Sequence, residues 1–591
     1  MPDHDTQVLV VGAGGCGLTL SIMLADLGVD HLIIERHATT SHLPKAHYLN
    51  SRTMEIFRQH GLADDVYAAG MPTHNATVRY ITGLGGSGPL DRHELYTFDA
   101  FGGGALRERY EEAAAGVPTN FPQLRLEPLL RQHAEKRSAG SVRFGHELVS
   151  CIQDEDGVTA VVRDRARGEE YEVRAAYLVG ADGGKIVGSQ VGAVLDGPGP
   201  FANLKTMHVT MDLSEYIPGD ALLTHVTRPG TRFWWVALVP MGPSWGPNCE
   251  EWGVAFAFRP DDQEPLADSD APDAIREVLN LPDLEMTVHR GGEWLVERVV
   301  ADRFRFGRIF LAGDAAHRHV PTGGLGLNSA VHDVHNLAWK LAAVVHGRCA
   351  DPERLLQSYE DERRPADVAN ADWALFTFLN HQTTDLSLGI SPGATLEENT
   401  AAVLSFVSDT PMGATLRARA TEIMGTQRTE YEALEVELGF GYSSAAVVPD
   451  GTPAPHRDPM GCLYTPTTRP GHRLPHAWLT DPEGERLSTH DLVGNQGGFV
   501  LLTGRDGAAW RSAAAAAERA HGVRVEVCSI GDAETDLADP TGTWTSMCGI
   551  CSDGAVLVRP DNIVGYRART RPADPEAALH DAVRAILSAE H

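Results

Sequence analysis

Two stretches of this chain combine residue types at spacings that suit chemistry on a bound nucleotide. Gly12-Ala-Gly-Gly-Cys-Gly17 has the form G-x-G-x-x-G, and Glu35 lies 23 residues beyond Gly12. Glycine at Gly12, Gly14, Gly15 and Gly17 permits a tight turn, approach of backbone to a pyrophosphate, and close helix–strand packing. The helix that follows presents its positive N-terminal end, and Glu35 can accept from ribose hydroxyls. This motif alone leaves FAD and NAD both open. A second run, Gly307-Arg-Ile-Phe-Leu-Ala-Gly-Asp-Ala-Ala-His317, carries Asp314 to the end of an apolar segment, where its carboxylate can accept from a sugar-alcohol chain. Beyond Pro321 comes Gly323-Gly-Leu-Gly-Leu-Asn328, a turn in which Gly324, Gly326, Leu327 and Asn328 open another helix. Its unpaired backbone N–H groups would face an electron-rich group.

Other residues invite weaker readings. His225, Arg232, Trp234 and Trp235 fall in a β-rich stretch and can line an aromatic pocket, although strand alternation puts one of the two tryptophans in and one out. Cys548-Gly-Ile-Cys551 is a C-x-x-C pair. A reactive pair needs its first sulfur at a helix N-terminus, and this one precedes a late strand, which predicts unreactive thiols. No further cysteine or histidine follows at the spacing of a zinc site, so no metal is expected.

The elements that must hold these residues are legible in outline. Residues 8–11 read as a buried strand, 18–27 as a helix stopped by Gly28, and 32–35 as a second buried strand, the opening βαβ unit of a doubly wound sheet. A polar, glycine-rich region at 73–117 interrupts this pattern, and a helix at 124–136 resumes it. Strands are expected at 142–144, 159–163, 171–174 and 176–180. Residues 200–300 carry strands at 222–226, 233–239, 252–258 and 286–289 and read as a separate inserted sheet. A strand at 309–312 and a helix at 328–347 return to the first layer, followed by helices at 352–365, 366–379 and 414–438. The segment 447–460, with four prolines, reads as a linker. Beyond it, strands at 498–503, 523–530, 555–559 and 564–567 with helices at 508–521 and 573–588 make an α/β unit of their own.

Composition excludes several classes. The chain has 591 residues, 42% apolar, 22% charged and 7% aromatic, which suits a large globular enzyme and not a disordered or disulfide-framed chain. A net charge of −30 with no basic patch speaks against nucleic acid. The apolar helical stretches 18–27 and 337–345 are far short of the roughly 20 residues of a bilayer span, so no membrane partner is expected. Eight scattered cysteines and an acidic N-terminus without a signal-peptide pattern point to the cytoplasm.

The second run resembles a signature of the class A flavin-dependent aromatic hydroxylases, and the resemblance extends over nearly the whole chain. Leu178-Val-Gly-Ala-Asp-Gly-Gly184 is similar to that family's Asp-Gly motif, which would give Asp182 to FAD and the nicotinamide donor. Pro44-Lys-Ala-His-Tyr-Leu-Asn-Ser-Arg-Thr-Met-Glu55 resembles its flavin-side segment, with Lys45 where arginine is common, and Arg52. Gln123-Leu-Arg-Leu-Glu127 resembles its Gln-x-x-x-Glu helix, whose glutamine touches FAD. Leu356-Gln-Ser-Tyr-Glu-Asp-Glu-Arg-Arg-Pro365 resembles the helix that closes the FAD domain. Arg469-Pro-Gly and Val558-Arg-Pro-Asp561 resemble the C-terminal domain of the phenol hydroxylase branch, nearest to the 2,4-dichlorophenol 6-monooxygenase-like group. After Asp182-Gly183 the run is Gly-Lys-Ile-Val-Gly-Ser-Gln190, where the family usually has a serine and then an arginine.

The resemblance implies an α/β chain with a Rossmann-type FAD-binding domain, an inserted β-rich substrate domain and a thioredoxin-like C-terminal domain. The FAD-binding parts would be 1–75, 121–198 and 301–395; the substrate domain 76–120 and 199–300; a helical connection 396–446; and the C-terminal domain 447–591. It implies a monooxygenase that uses FAD, NADPH or NADH, and O2 to hydroxylate a phenol-like or hydroxypyridine-like ring through a flavin C4a-hydroperoxide. The substrate would be a small aromatic compound and the protein a homo-oligomer, a dimer or larger. His47 stands where phenol hydroxylases place an acid that helps deprotonate the substrate, and a histidine titrates in the right range for that task. His225 and Arg232 are the other catalytic candidates. A Baeyer–Villiger oxygenase or flavin oxidase on the same scaffold, and an idle nucleotide-binding assembly protein, are the alternatives.

Overall fold

The computed structural model describes residues 4–219, 221–258, 264–391 and 393–588. The apolar run at 8–11 forms the end of a strand, His4–Val11, paired in parallel with Glu169–Gly180 on one side and His31–Glu35 on the other. Val8, Leu9 and Val10 are fully buried because both faces of the sheet are covered, which removes the polar alternation of a half-exposed strand. Val142–Phe144 extends the sheet beyond His31–Glu35, and Ile309–Leu311 extends it beyond Glu169–Gly180. Chain order therefore reverses at His4–Val11, and a doubly wound sheet opens its crevice at such a reversal. Gly12 stands at that point, and the helix Gly15–Asp26 leaves from it to pack against Gln123–Arg137 and Leu325–Val345.

A second sheet of seven strands draws on two separate segments of chain. Its order is Met286–Val296, Ala202–Met211, Glu251–Phe258, Phe233–Gly242, Ala221–Val226, Thr77–Ile81 and Glu94–Asp99. All its pairings are antiparallel except that of Ala221–Val226 with Thr77–Ile81. The glycine-rich stretch that interrupts the first layer thus supplies two strands to the substrate-side layer.

The C-terminal sheet centres on Phe499–Thr503, parallel to Val525–Gly531 and antiparallel to Ala555–Val558, with Ala508–His521 and Pro575–Ile586 packed on it, a thioredoxin-like arrangement. It lies against the FAD-side helix through Trp339 and Ala343. Buried ions cross the same boundary. Arg473 holds Glu55 through both carboxylate oxygens, and Arg559 bridges Glu362 and Asp561. Burial alone would raise the Glu55 carboxyl, but Arg473 and His490 hold it well below the usual carboxylate range. The Cys548 thiol lies at the end, not the start, of the short helix Thr543–Met547, and burial pushes its pKa up.

Three local expectations change. Strands expected at 171–174 and 176–180 are one strand, Glu169–Gly180. The helices expected on either side of Pro365 are one helix, Pro352–Asn380. A proline removes one backbone bond from a helix interior, and here the buried face carrying Glu362, Arg363 and Asp367 holds the helix together. The helix expected at 414–438 is broken into Pro411–Met424, Arg428–Tyr431 and Leu434–Leu438. That break turns Glu430 and Tyr431 inward. Among the described residues no helix is long and apolar enough to cross a membrane.

Candidate active site

Two helix starts converge at the crevice. Helix Gly15–Asp26 begins on Gly14 and helix Leu325–Val345 on Gly324; neither has a side-chain cap or an acidic residue in its first turn. The first N–H groups of each helix are therefore open to a ligand, with carboxylates nearby at both starts: Glu35 accepts from Ala13 N–H and Glu430 from Gly323 N–H. The glycines set how close the parts come. A Cβ on Gly12 would stand 2.2 Å from the Ala181 carbonyl oxygen, one on Gly17 1.9 Å from that of Gly12, and one on Gly15 2.8 Å from Leu327 Cδ1. By contrast, a Cβ on Gly326 would meet nothing within 4 Å, and one on Gly14 would meet only Glu127 Oε1 at 3.5 Å.

The acids fall at the rim of the same cradle. Glu35 accepts from Ala13 N–H at 3.0 Å and His37 N–H at 2.8 Å, which fixes its carboxylate against the first turn. Asp314 projects, exposed, from the short turn Gly313–Ala315 that follows Ile309–Leu311. Gln123 donates to Glu127 at 2.6 Å and leans with it over Gly14. Open backbone donors, a close-packed glycine turn and two flanking carboxylates suit a dinucleotide with a pyrophosphate and a polyhydroxyl chain, so the residues present fit FAD.

Several residues expected at the cofactor are engaged elsewhere. Arg52 is buried and donates to Glu55 and to the Asp561 carbonyl of the C-terminal sheet at 2.8 Å, so it ties the two regions together. The Asp182 carboxylate accepts from the N–H groups of Gly184, Ile186 and Val187 and so caps its own turn. Asn328 is fully engaged: its Oδ1 accepts from Asn50 N–H at 3.0 Å, and its Nδ2 donates to Tyr48 O at 3.0 Å and Gly324 O at 2.6 Å. It fastens the flavin-side segment to the turn. Lys45 and Pro321 are exposed beside the cradle.

His47 follows from that fastening. The short strand Tyr48–Leu49 pairs with Thr119–Asn120, and Asn120 Nδ2 donates to the Pro240 carbonyl at 3.1 Å. Asn120 Oδ1 therefore faces His47 and takes the Nδ1 proton at 2.9 Å. That fixes the neutral imidazole as the Nδ1–H tautomer and leaves Nε2 as a bare acceptor. Burial pulls the His47 pKa down to about 4, only partly offset by Asn120, well below the near-neutral range expected from residue type.

Beside this lies an aromatic cage. His225 stacks on Tyr80 with centroids 4.6 Å apart and planes 15° apart, meets Trp235 edge-on at 5.9 Å, and shares a 3.1 Å hydrogen bond with the Tyr431 hydroxyl. Phe98 and Phe101 pack on Tyr431 at 5.3 and 5.4 Å. Burial, with His381 beside it, holds His225 well below its ordinary pKa. Arg232 is not part of this cage: its guanidinium lies over Phe233 and Phe258 and donates to the Glu264 carbonyl. Trp234 and Trp235 do not alternate in and out, because the register shifts between Phe233 and Trp235, and both pack on one cluster. Tyr80, Phe98, Phe101, Asn120, His381, Glu430 and Tyr431 were not found from sequence. They come from two separate parts of the chain, 80–120 and 381–431, with no spacing that marks them as neighbours.

Behind the Asp314 turn, ligand-type atoms of His317, His319 and Asp367 lie within 4.8 Å of one another. Arg363 already supplies the cation there, donating to Asp333 at 2.8 Å and Asp367 at 2.7 Å. Burial would lower His317, but Asp367 and Asp333 lift it to about 9, so the group is a compensated ion network.

Comparison with known proteins gives the family and the overall fold. Residues 5–374 match the family model described as FAD binding domain, and residues 467–589 match the one described as aromatic-ring hydroxylase, C-terminal. The chain is 33% identical to the phenol 2-monooxygenase of Pseudomonas sp. (strain EST1001), covering 98% of this chain and 92% of that one. It is 34% identical to the 2,4-dichlorophenol 6-monooxygenase of Delftia acidovorans, covering 99% and 98%. Among solved structures, the flavin-dependent monooxygenase PieE in complex with FAD and substrate superposes with a TM-score of 0.92 at 38% identity, over 100% of both chains.

Proposed function

The chain belongs to the FAD-dependent aromatic-ring hydroxylases, and from that premise we propose that it hydroxylates a phenol-like or hydroxypyridine-like ring held between the aromatic cage and the flavin turn. NADPH or NADH is the reductant, as is typical of the family. The observation that carries the reading is the bare Nε2 of His47, aimed by the Asn120–Pro240 clamp and fastened to the flavin turn through Asn328.

When bound, FAD supplies the redox chemistry, accepting two electrons and activating dioxygen. The chain's own residues do the rest. Gly12–Gly17 and the Leu325–Val345 helix start hold the cofactor, Glu35 and Asp314 its hydroxyls. Tyr80, His225, Trp235 and Tyr431 grip a flat ring and exclude water. His47 Nε2 accepts a hydrogen bond from the ring hydroxyl. Full transfer from a phenol of pKa about 10 to an imidazole near 4 is uphill by roughly 6 units, about 8 kcal/mol. His47 therefore works by a hydrogen bond that strengthens as electron density leaves the ring oxygen, which raises the nucleophilicity of the adjacent carbon.

The reading also places the protein in the cytoplasm as a homo-oligomer. In its support, all eight cysteines are unpaired. Phe376, Leu379, Leu386, Leu396 and Met412 are exposed on the outer helices, an apolar surface that a second copy would cover.

The test is a panel of phenols and hydroxypyridines scored for NADPH oxidation coupled to product under labelled dioxygen. One labelled atom in the arene is expected. Label inserted into a C–C bond, or hydrogen peroxide alone with every compound, would overturn the reading.

A further inference from the structure

The short helix Arg428–Tyr431 faces two ways. Tyr431 enters the aromatic cage, where its hydroxyl meets His225. The preceding residue, Glu430, reaches into the gap between cage and flavin turn. One of its oxygens accepts from the backbone N–H of Gly323 at 3.2 Å, and the other meets His381 Nε2 at 2.6 Å. Gly323 and Gly324 carry positive φ values of 72° and 61°; the turn they form is tied by Thr322 to the Ala374 carbonyl and by Asn328 to the Gly324 carbonyl, each at 2.6 Å, and Glu430 holds the Gly323 N–H between those two ties. His381 in turn packs at 5.4 Å from His225 and 6.5 Å from Trp235.

The helix is itself fastened. Gln427 donates to the Asn380 carbonyl at 2.9 Å and to Thr383 at 2.8 Å, and Trp373 donates to the Thr429 carbonyl at 3.1 Å. The segments that carry Glu430 and His381 are therefore joined by contacts besides the Glu430–His381 pair. The Glu430 carboxylate is buried, and a buried carboxylate accepting two hydrogen bonds binds more strongly than a neutral acceptor would.

We propose that Glu430 is a positioning residue for both halves of the site: through Gly323 N–H it fixes the flavin turn, and through His381 it fixes the wall of the aromatic cage against which the substrate ring lies. Its two oxygens have separate duties, so substitutions separate the two effects. This inference rests on the hydroxylase reading for the identity of the aromatic ligand, while its readouts do not need turnover.

The experiment compares Glu430→Gln, Glu430→Ala and His381→Phe by two titrations. FAD is added to the apoprotein and followed by flavin fluorescence, and a phenol is added to the holoenzyme and followed by the flavin absorbance change; KM and kcat are then measured where a substrate is known. Glu430→Gln keeps an oxygen for Gly323 but loses the charged partner of His381. Its FAD dissociation constant should stay within about twofold while phenol binding weakens by about tenfold, the worth of one charge-assisted hydrogen bond. His381→Phe should behave likewise, with the loss in KM and not in kcat. Glu430→Ala should weaken both ligands by about tenfold.

An alanine variant with unchanged FAD affinity would overturn the proposal. So would a glutamine variant that loosens FAD as much as alanine does. If the alanine variant fails to fold, Glu430→Gln and His381→Phe still decide: FAD loosened in His381→Phe, or phenol binding unchanged in both, overturns it. A protein that binds phenols and shows these shifts without hydroxylating any of them would refute the proposed reaction and leave the role of Glu430 intact.

Discussion

At the flavin cradle the groups facing the ligand are backbone: free N–H donors at two helix starts, brought together by glycines that leave 1.9–2.8 Å where a Cβ would stand. In the aromatic cage the groups are side chains, and they come from residues as far apart as Tyr80 and Tyr431. The cradle is made by one local strand–turn–helix unit met by a second. The cage exists only after the seven-stranded sheet has closed and the broken helix at 411–438 has turned Tyr431 inward. The first can be damaged by adding atoms to backbone, the second by removing particular rings. This difference orders the expected effects of substitution.

The largest effect belongs to the cradle. Gly14→Glu would direct a carboxylate toward Glu127, whose Oε1 already lies 3.5 Å from the site of a Cβ, and into the space in front of a positive helix end. Like charge and lost room act together, so FAD affinity should fall by at least about a hundredfold and the protein should purify colourless. Asp314→Ala should lose less, because it removes one acceptor and leaves the backbone donors in place. Flavin absorbance per protein checks both. A Gly14→Glu protein that keeps stoichiometric flavin at low micromolar concentration would mean that the cradle is not where the cofactor lies.

The next effect belongs to the junction of cradle and cage. His47→Phe leaves the glycine turns untouched, so FAD should bind and NADPH should still reduce it. Coupled hydroxylation should fall by at least about tenfold, the worth of one hydrogen bond that gains charge character as the ring reacts, with hydrogen peroxide in place of product. The pH dependence sharpens this. Neutral His47 is the active form, and its pKa is lowered to about 4 by burial, so its acid limb should appear near pH 4 and not near 6.5. A wild-type limb near 6.5 that vanishes in His47→Phe would show that the imidazole is more exposed to water than its position implies. Unchanged coupling in the variant would assign the substrate proton to another group.

The two regions also differ in what the sequence discloses. The placement of Gly12, Gly14, Gly17, Glu35 and Asp314 around one crevice was legible because each stands within a strand–turn–helix unit, where spacing sets position. The buried strands at 8–11 and 309–311 were legible from continuous apolar runs for the same reason. Arg52 misled because a basic residue next to a flavin-side segment suits phosphate equally well, although Glu55 at i+3 was a visible partner. Asp182 misled because an Asp-Gly turn that caps itself looks in sequence like one that binds. Tyr431 and His381 were invisible, since nothing at 380 or 431 marks them as neighbours of residues 80 and 225. The break at 425–427 that aims them begins at Gly425, a glycine the sequence did show, and is fixed by tertiary fastening of Gln427 to Asn380 and Thr383.

The smallest expected effect tests where the cage ends. Sequence put Arg232 with His225, Trp234 and Trp235 in the lining of an aromatic pocket and made it a catalytic candidate. The fold turns it the other way: Trp235 meets His225 and Trp234 donates to Asp385, while Arg232 lies 5.4 Å from the Phe258 ring centre and donates to the Glu264 carbonyl. Its contacts include a cation–π pair at a half-exposed site and a hydrogen bond to backbone, each worth about 1 kcal/mol of stability. Arg232→Ala should therefore lower the melting temperature slightly and leave kcat/KM and coupling within about threefold of wild type, a barrier change under about 0.7 kcal/mol. Steady-state kinetics with a phenol, read beside a thermal melt, separates the two. If the variant instead loses hydroxylation by tenfold or more while its melting temperature holds, the guanidinium acts on the ring oxygen during turnover. The cage would then have to open toward Phe258, and the division between a backbone cradle and a closed aromatic wall would no longer describe the site.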